Sequence, residues 1–396
     1  MLFNSEAKMK NKKLLITLIS VAAVLAVAAA VLFIPITATA KEPIVIACIS
    51  DPHHEYGVQD TESHVRPSSE TAIEYIEKLT NGGADYVFCG GDITGRNGEW
   101  NDITIKDTMK ASFDLFSAAS KDGKVMLVTG NHDPEPSVHS ETEKINSNDY
   151  SEYMFEALGQ PAAAFYTADL DLNPDFTGPF NELLGYRYTF GSLSFIGLNT
   201  PNGDRRAIKQ TGQNGLYEEQ VDWATKQVKE LGPDHTVFLL CHYPAETLYT
   251  VELAETKLYK DDDNGARVKM LSLLENNDNI IYCYGHVHTE THEALTKTAE
   301  LVSAVGESAE NSSILCHMGS LGYYNDHYGG PLAQVDPQVI QVNMIYIYAD
   351  KIVFEIHNTG EKESYGGNRE IEKLEIKRDM SSALKTKESL FQKIFG

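Results

Sequence analysis

Short, β-rich apolar runs recur along the chain and constrain its architecture more than any other feature. They are residues 43–50 (PIVIACIS), 85–91 (DYVFCGG), 124–130 (KVMLVTG), 192–200 (SLSFIGLNT), 235–242 (HTVFLLCH) and 279–286 (NIIYCYGH). Each is nearly continuous in apolar character rather than alternating, the pattern of strands buried on both faces. Helical patterns lie between several of them. Residues 68–83 offer serine caps, apolar Ala72, Ile73, Ile76 and Leu79, and a stop at Gly82; residues 216–232 space Val221, Ala224, Val228 and Leu231 at helical intervals and also stop at glycine. Alternation of such strands and helices predicts an α/β sandwich.

Three long stretches interrupt the rhythm. Residues 134–190 are rich in Asn, Asp, Pro and Tyr, 244–265 contain KDDDNG, and 289–335 contain GSLGYYNDHYGGP. Loops this long in a compact domain tend to carry function. The alternating residues 339–358 read as a closing hairpin turned at Ala349-Asp350.

The chain has 396 residues, 42% hydrophobic, with 33 Lys+Arg against 57 Asp+Glu and a formal charge of −24. That length and apolar content allow a well-buried core. Outside the N-terminus no dense Lys/Arg block appears, so nucleic acid is not an expected partner. An acidic surface also repels anionic substrates unless a local cation reverses the field.

The first segment differs in composition. Lys8, Lys10, Lys12 and Lys13 precede an uncharged stretch from Leu14 to Ile34, and Ala38-Thr39-Ala40 stands before Lys41. Residues 1–40 therefore read as a signal peptide cleaved near Ala40, or as an uncleaved membrane anchor, since the apolar stretch approaches the ~20 residues that span a bilayer. With the lysines on the inner side, either reading places the body outside the cytoplasmic membrane, secreted or anchored through the N-terminal helix. Four of the five cysteines (Cys48, Cys89, Cys241, Cys283, Cys316) lie within strand-like runs and read as buried thiols rather than disulfides.

Five of the apolar runs end in residues able to hold a metal ion. They are Asp51-Pro52-His53, Gly91-Asp92, Gly130-Asn131-His132-Asp133, His242 and Gly285-His286-Val287-His288. In α/β sheets the carboxyl ends of strands face a common crevice, which gathers residues distant in sequence. Carboxylate, imidazole and amide oxygen together suit Zn²⁺, Mn²⁺ or Fe, and no Cys at a strand tip suggests a thiolate site. The candidates Asp51, His53, Asp92, Asn131, His242, His286 and His288 are more than one ion needs. Two ions sharing a carboxylate would use them all, and a pair ~3.5–4 Å apart is a recurring solution for phosphoester displacement.

The ordered set DPH, GGD, GNHD, H and GHVH resembles the calcineurin-like metallophosphoesterase superfamily from about Pro43 to Asn358. The resemblance implies a four-layer α/β/β/α sandwich as residues 41–365, followed by a charged tail at 366–396. It also implies two divalent or trivalent ions (Mn, Fe or Zn), with Asp51, His53, Asp92 and His288 around one and Asp92, Asn131, His242 and His286 around the other. Asp92 would be the bridge. The implied activity is hydrolysis of a phosphomonoester or phosphodiester substrate, in which a hydroxide between the ions attacks the phosphoryl group. His132 is similar to the family's non-ligand histidine, which stabilises the transition state or protonates the leaving oxygen. Asp133 either orients His132 or bonds the loop backbone, and Arg96 contacts phosphate or forms a surface ion pair.

The chain departs from two branches of that superfamily. Gly95 stands three residues after Asp92, where Ser/Thr protein phosphatases carry an Asp and purple acid phosphatases a Tyr ligand; His53 stands where the latter carry Gly. A red Fe-tyrosinate centre is therefore not expected. His54, His64, His139, His292, His317 and His327 lie on loops near motifs as pocket or structural residues, and Tyr323, Tyr324 and His327 are candidates for contacts to the leaving group. The reading from a different class is a noncatalytic phospho-ligand-binding module on the same fold.

Overall fold

The computed structural model describes residues 42–54, 65, 67–94, 102–131, 133, 166–167, 184–200, 215–251, 258–259, 265–286, 313–321, 341–359 and 369–384. All but Glu42 belong to the unit Pro43–Gly396. The N-terminal apolar stretch lies outside the described residues, among which no helix is long and apolar enough to cross a membrane.

The strand-like runs form the centre of two six-stranded sheets. In the first, β1 (Ile44–Ile49), β2 (Tyr86–Cys89) and β3 (Val125–Leu127) run parallel, and β13 (Gln341–Ile347), β14 (Lys351–Asn358) and β15 (Arg369–Lys377) continue antiparallel from β1. The second contains β6 (Leu193–Leu198), β8 (Thr236–Cys241), β11 (Ile280–Tyr284) and β12 (Ile314–His317) in parallel, with β5 (Gly185–Phe190) and β4 (Tyr166–Thr167) added antiparallel beyond β6. Each residue of β1, β2, β3, β6, β8 and β11 is buried, as their unbroken apolar character requires. A small sheet joins β7 (Gly215–Leu216), β9 (Tyr249–Val251) and β10 (Leu258–Tyr259).

Aromatic residues join the two sheets. Phe88 of β2 meets Phe195 of β6 edge-on at 5.1 Å and Phe238 of β8 at 5.4 Å, geometries that ring quadrupoles favour. Helix α1 (Pro67–Thr80) buries Ala72, Ile73 and Ile76, and α2 (Asp102–Ala118) buries Phe113 and Phe116, in the same cluster as the first sheet. Helices α3 (Glu218–Leu231) and α4 (Ala266–Glu275) bury Val221, Ala224, Val228, Met270 and Leu274 with the second sheet's other face.

The hairpin expected at residues 339–358 is present, with β13 and β14 joined around Ala349-Asp350. Part of the C-terminal stretch set apart by its charge is a strand: β15 pairs with β14 along its length and buries Ile376 in the core. Six of its nine residues are charged, as suits an edge strand. All five cysteines are buried free thiols.

Candidate metal centre

The polar residues come from the carboxyl tips of the two parallel blocks. After β1 the backbone passes through Asp51 (φ 51°) and His53 (φ 46°), after β2 through Asp92 (φ 49°), and after β11 through His286 (φ 72°). Left-handed backbone costs a non-glycine residue of order 1–3 kcal/mol and persists only where its surroundings over-determine it. Among the described non-glycine residues only Asn81 shares it outside this site. The constraint is a set of cross-loop bonds: the amides of Asp51, His53 and His54 donate to the carbonyls of Gly91, Asp92 and Ile93 at 3.0, 3.0 and 2.8 Å.

Glycine provides room at two close approaches. A Cβ on Gly130 would lie 2.2 Å from Asp92 Oδ1, and one on Gly285 would lie 2.5 Å from Asp51 Oδ2. The sequence suggests that Gly285 turns the chain, but the left-handed residue is His286; Gly285 instead admits the Asp51 carboxylate. The His286 amide donates to both oxygens of that carboxylate, at 3.1 and 2.9 Å, and the Ser50 hydroxyl donates to Oδ2 at 2.5 Å.

Two groups of donors result, and they share one residue. Ligand atoms of Asp51, His53 and Asp92 lie within 4.8 Å of one another, as do those of Asp92, His242 and His286. Asn131 joins the second group, its Oδ1 3.1 Å from His242 Nε2. Asp51, His53, Asp92 and His242 are buried, and Asn131 and His286 are half-buried. His288, His132 and Arg96 lie outside the described residues, as do His64, His139, His292, His327, Tyr323 and Tyr324.

The donor chemistry fits cations. His242 Nδ1 is 2.7 Å from the Gly90 carbonyl and donates its proton there, so that the neutral ring, the form that binds a cation, presents the lone pair of Nε2. Around Nε2 stand Asp92 Oδ2 at 3.3 Å, Asn131 Oδ1 at 3.1 Å and His286 Nδ1 at 3.2 Å. The two oxygens can only accept, so lone pairs converge on one point. Among the described residues the ion pairs of buried Asp92 run to imidazoles, His242 and, at 3.7 Å, His53. Buried carboxylates of this kind require compensating positive charge.

Burial opposes protonation of His242, but Asp92, and then Asp51 and the Gly90 carbonyl, push its pKa up to about 9. Burial, and next the charge of Asp92, push the Asp133 carboxyl up to about 7 against the pull of the Gly130 and Thr94 amides. Those amides donate to Asp133 at 2.7 and 3.0 Å, so its described contacts clamp the loop after β3 to the loop after β2. His54 is structural: its ring bonds Ser112 Oγ at 2.7 Å and Ser69 Oγ at 2.9 Å, tying the first loop to α2 and α1. His317 is also buried, its ring 5.3 Å from that of Tyr284.

A sequence model described as calcineurin-like phosphoesterase matches residues 44–290, which includes every candidate ligand. The chain belongs to this family. That family comprises hydrolases of phosphoric ester bonds that use two metal ions. No curated protein sequence matches the chain. Among solved structures it is similar to purple acid phosphatase PPD1 from yellow lupin (Lupinus luteus) seeds, at 15% identity over 87% of this chain and 55% of that one, with a TM-score of 0.48. The chain thus spans only about half the length of the lupin protein. It is also similar to the calcineurin-like phosphoesterase YfkN from Bacillus subtilis, at 11% identity over 89% of this chain and 97% of that one, TM-score 0.40. A third likeness is to NAD nucleotidase from Haemophilus influenzae, at 10% identity over 88% and 56% of the respective chains, TM-score 0.37.

Proposed function

We propose that this calcineurin-like phosphoesterase acts outside the cytoplasmic membrane, on phosphomonoesters or phosphodiesters, at a two-ion site within a four-layer α/β/β/α sandwich. Its ligands are Asp51, His53, Asp92 and His288 for one ion and Asp92, Asn131, His242 and His286 for the other. The observation that carries this reading is the position of Asp92 in both donor groups.

When bound, Mn, Fe or Zn ions would supply charge neutralisation for the phosphoryl oxygens and acidify water for attack. The chain's own residues prepare the place. Gly90 holds the His242 tautomer that presents Nε2, and Ser50 and the His286 amide aim the Asp51 carboxylate. Asp133 holds the loop bearing Asn131 and His132 against Thr94. His132 stabilises the transition state or protonates the leaving oxygen, and Arg96 contacts phosphate.

Extracytoplasmic placement is supported by the lysines before the apolar stretch 14–34 and by Ala38-Thr39-Ala40. The test compares turnover of a chromogenic phosphomonoester and its matching diester by wild type, Asp92→Asn and His132→Ala. Asp92→Asn should lose metal and turnover together, whereas His132→Ala should keep metal and lose rate. Normal turnover by Asp92→Asn would refute the site.

A further inference from the structure

Of the six apolar runs, only the one forming β6 ends without a candidate ligand. It lies between β5 and β8 in the second sheet and is followed by Asn199 and Thr200, which are 1% and 3% exposed. We propose that Asn199-Thr200 is a positioning element for the second donor group, acting on Asn131 through Thr129 and on His242 and His286 through Tyr243. The inference rests on the two-ion reading above.

Asn199 is held from behind. Its amide donates to Leu184 O at 3.1 Å, and its carbonyl accepts from Gln220 Nε2 of α3 at 2.8 Å; the same amide group of Gln220 also bonds Leu184 O at 2.9 Å. Forward, Asn199 Oδ1 accepts the amide of Thr129 at 3.0 Å. Thr200 adds three bonds to the same residue, from its amide to Thr129 Oγ1 at 3.0 Å and Thr129 O at 3.4 Å and from its hydroxyl to Thr129 O at 2.8 Å. Thr129 is therefore gripped at its amide, hydroxyl and carbonyl, two residues before Asn131.

The second arm runs through the Thr200 hydroxyl, which lies 3.1 Å from that of Tyr243. The buried Tyr243 ring stands edge-on to His242 (5.0 Å, 72°) and to His286 (5.4 Å, 77°). One corner thus reaches three side chains of the second group through Thr129 and Tyr243. The Asp51–His53 loop is secured elsewhere, by the Gly91–Ile93 backbone and, through His54, by α1 and α2. Outer partners of this kind typically change metal affinity 10–100-fold when removed.

The test titrates metal-free full-length protein with Mn²⁺ by calorimetry and counts bound ions. Wild type, Thr200→Val, Thr200→Ser and the milder Tyr243→Phe are compared, alongside His242→Ala. In Thr200→Val the Kd of one ion should rise about 10–100-fold with the other unchanged, and Thr200→Ser should restore it. Tyr243→Phe should shift the same ion in the same direction. Adding Thr200→Val to His242→Ala should leave the surviving ion's Kd as it is in His242→Ala alone, which assigns the affected ion to the second group. Wild-type titration by both Thr200→Val and Tyr243→Phe, or equal weakening of both ions, would overturn the inference. Fewer than two ions on wild type would instead overturn the two-ion reading and this inference with it.

Discussion

At the scale of single residues, Asp92 bears the largest demand. It serves two donor groups from a left-handed backbone, with Gly130 packed closely against its carboxylate. Gly130→Ala should therefore destabilise the protein by roughly 1–3 kcal/mol in chemical denaturation and weaken metal binding, because the new Cβ would lie 2.2 Å from Asp92 Oδ1. An unchanged midpoint and affinity would mean that the loop yields freely. The metal-free protein should also have a characteristic pH dependence. The folded pKa of Asp133 is about 7, above its ordinary 3.8, and that of His242 is about 9, above 6.5. In both windows the folded state holds the proton more tightly, so stability present at lower pH is lost as pH rises through the folded pKa. These two groups should lower the urea midpoints of the metal-free protein progressively between about pH 4 and about pH 9, and His242→Gln should flatten the upper part of that fall.

At the scale of elements, the strands that deliver ligands were legible because parallel, doubly buried strands must be apolar throughout and their polar tips stand out. The six runs in the sequence correspond to β1, β2, β3, β6, β8 and β11. Elements at sheet margins were not legible in this way. β5, with Arg187 and Thr189, and β12, only Ile314–His317, carry too little apolar periodicity to distinguish them from loops. β15 was hidden by its charge, since six of its nine residues are charged. Ile376→Ala should cost about 2–5 kcal/mol, because this side chain is buried beside the first sheet. A change within experimental error would mean that β15 is a loose tail. The candidate ligands were readable from motif order, whereas their support was not: Asn199, Thr200, Thr129 and Tyr243 have no shared spacing, and only the fold brings their hydroxyls and amides together.

At the scale of the whole molecule, a chain of net charge −24 must attract a phosphate ester to a buried, acidic site. On the two-ion reading the ions, together with Arg96, would reverse the local field, while the net negative charge of the chain opposes approach. The kcat/KM for a dianionic monoester should therefore rise as salt screens that surface, and rise less for a monoanionic diester; a fall with salt for both would point to a basic entry path instead. The fragment from Lys41 onward should keep metal binding and turnover, because the described ligand groups lie within Pro43–Gly396.

On the proposed reading, Asp92 joins two ions into one hydrolytic centre. The most direct measurement is the number of ions bound per chain together with phosphoester turnover, for full-length wild type and Asp92→Asn loaded in parallel with Mn²⁺, Zn²⁺ and Fe²⁺. The expected result is two ions and hydrolysis by wild type with at least one metal, and loss of both properties in Asp92→Asn, with turnover down about 100-fold or more. Two ions retained and undiminished turnover in Asp92→Asn would contradict the account.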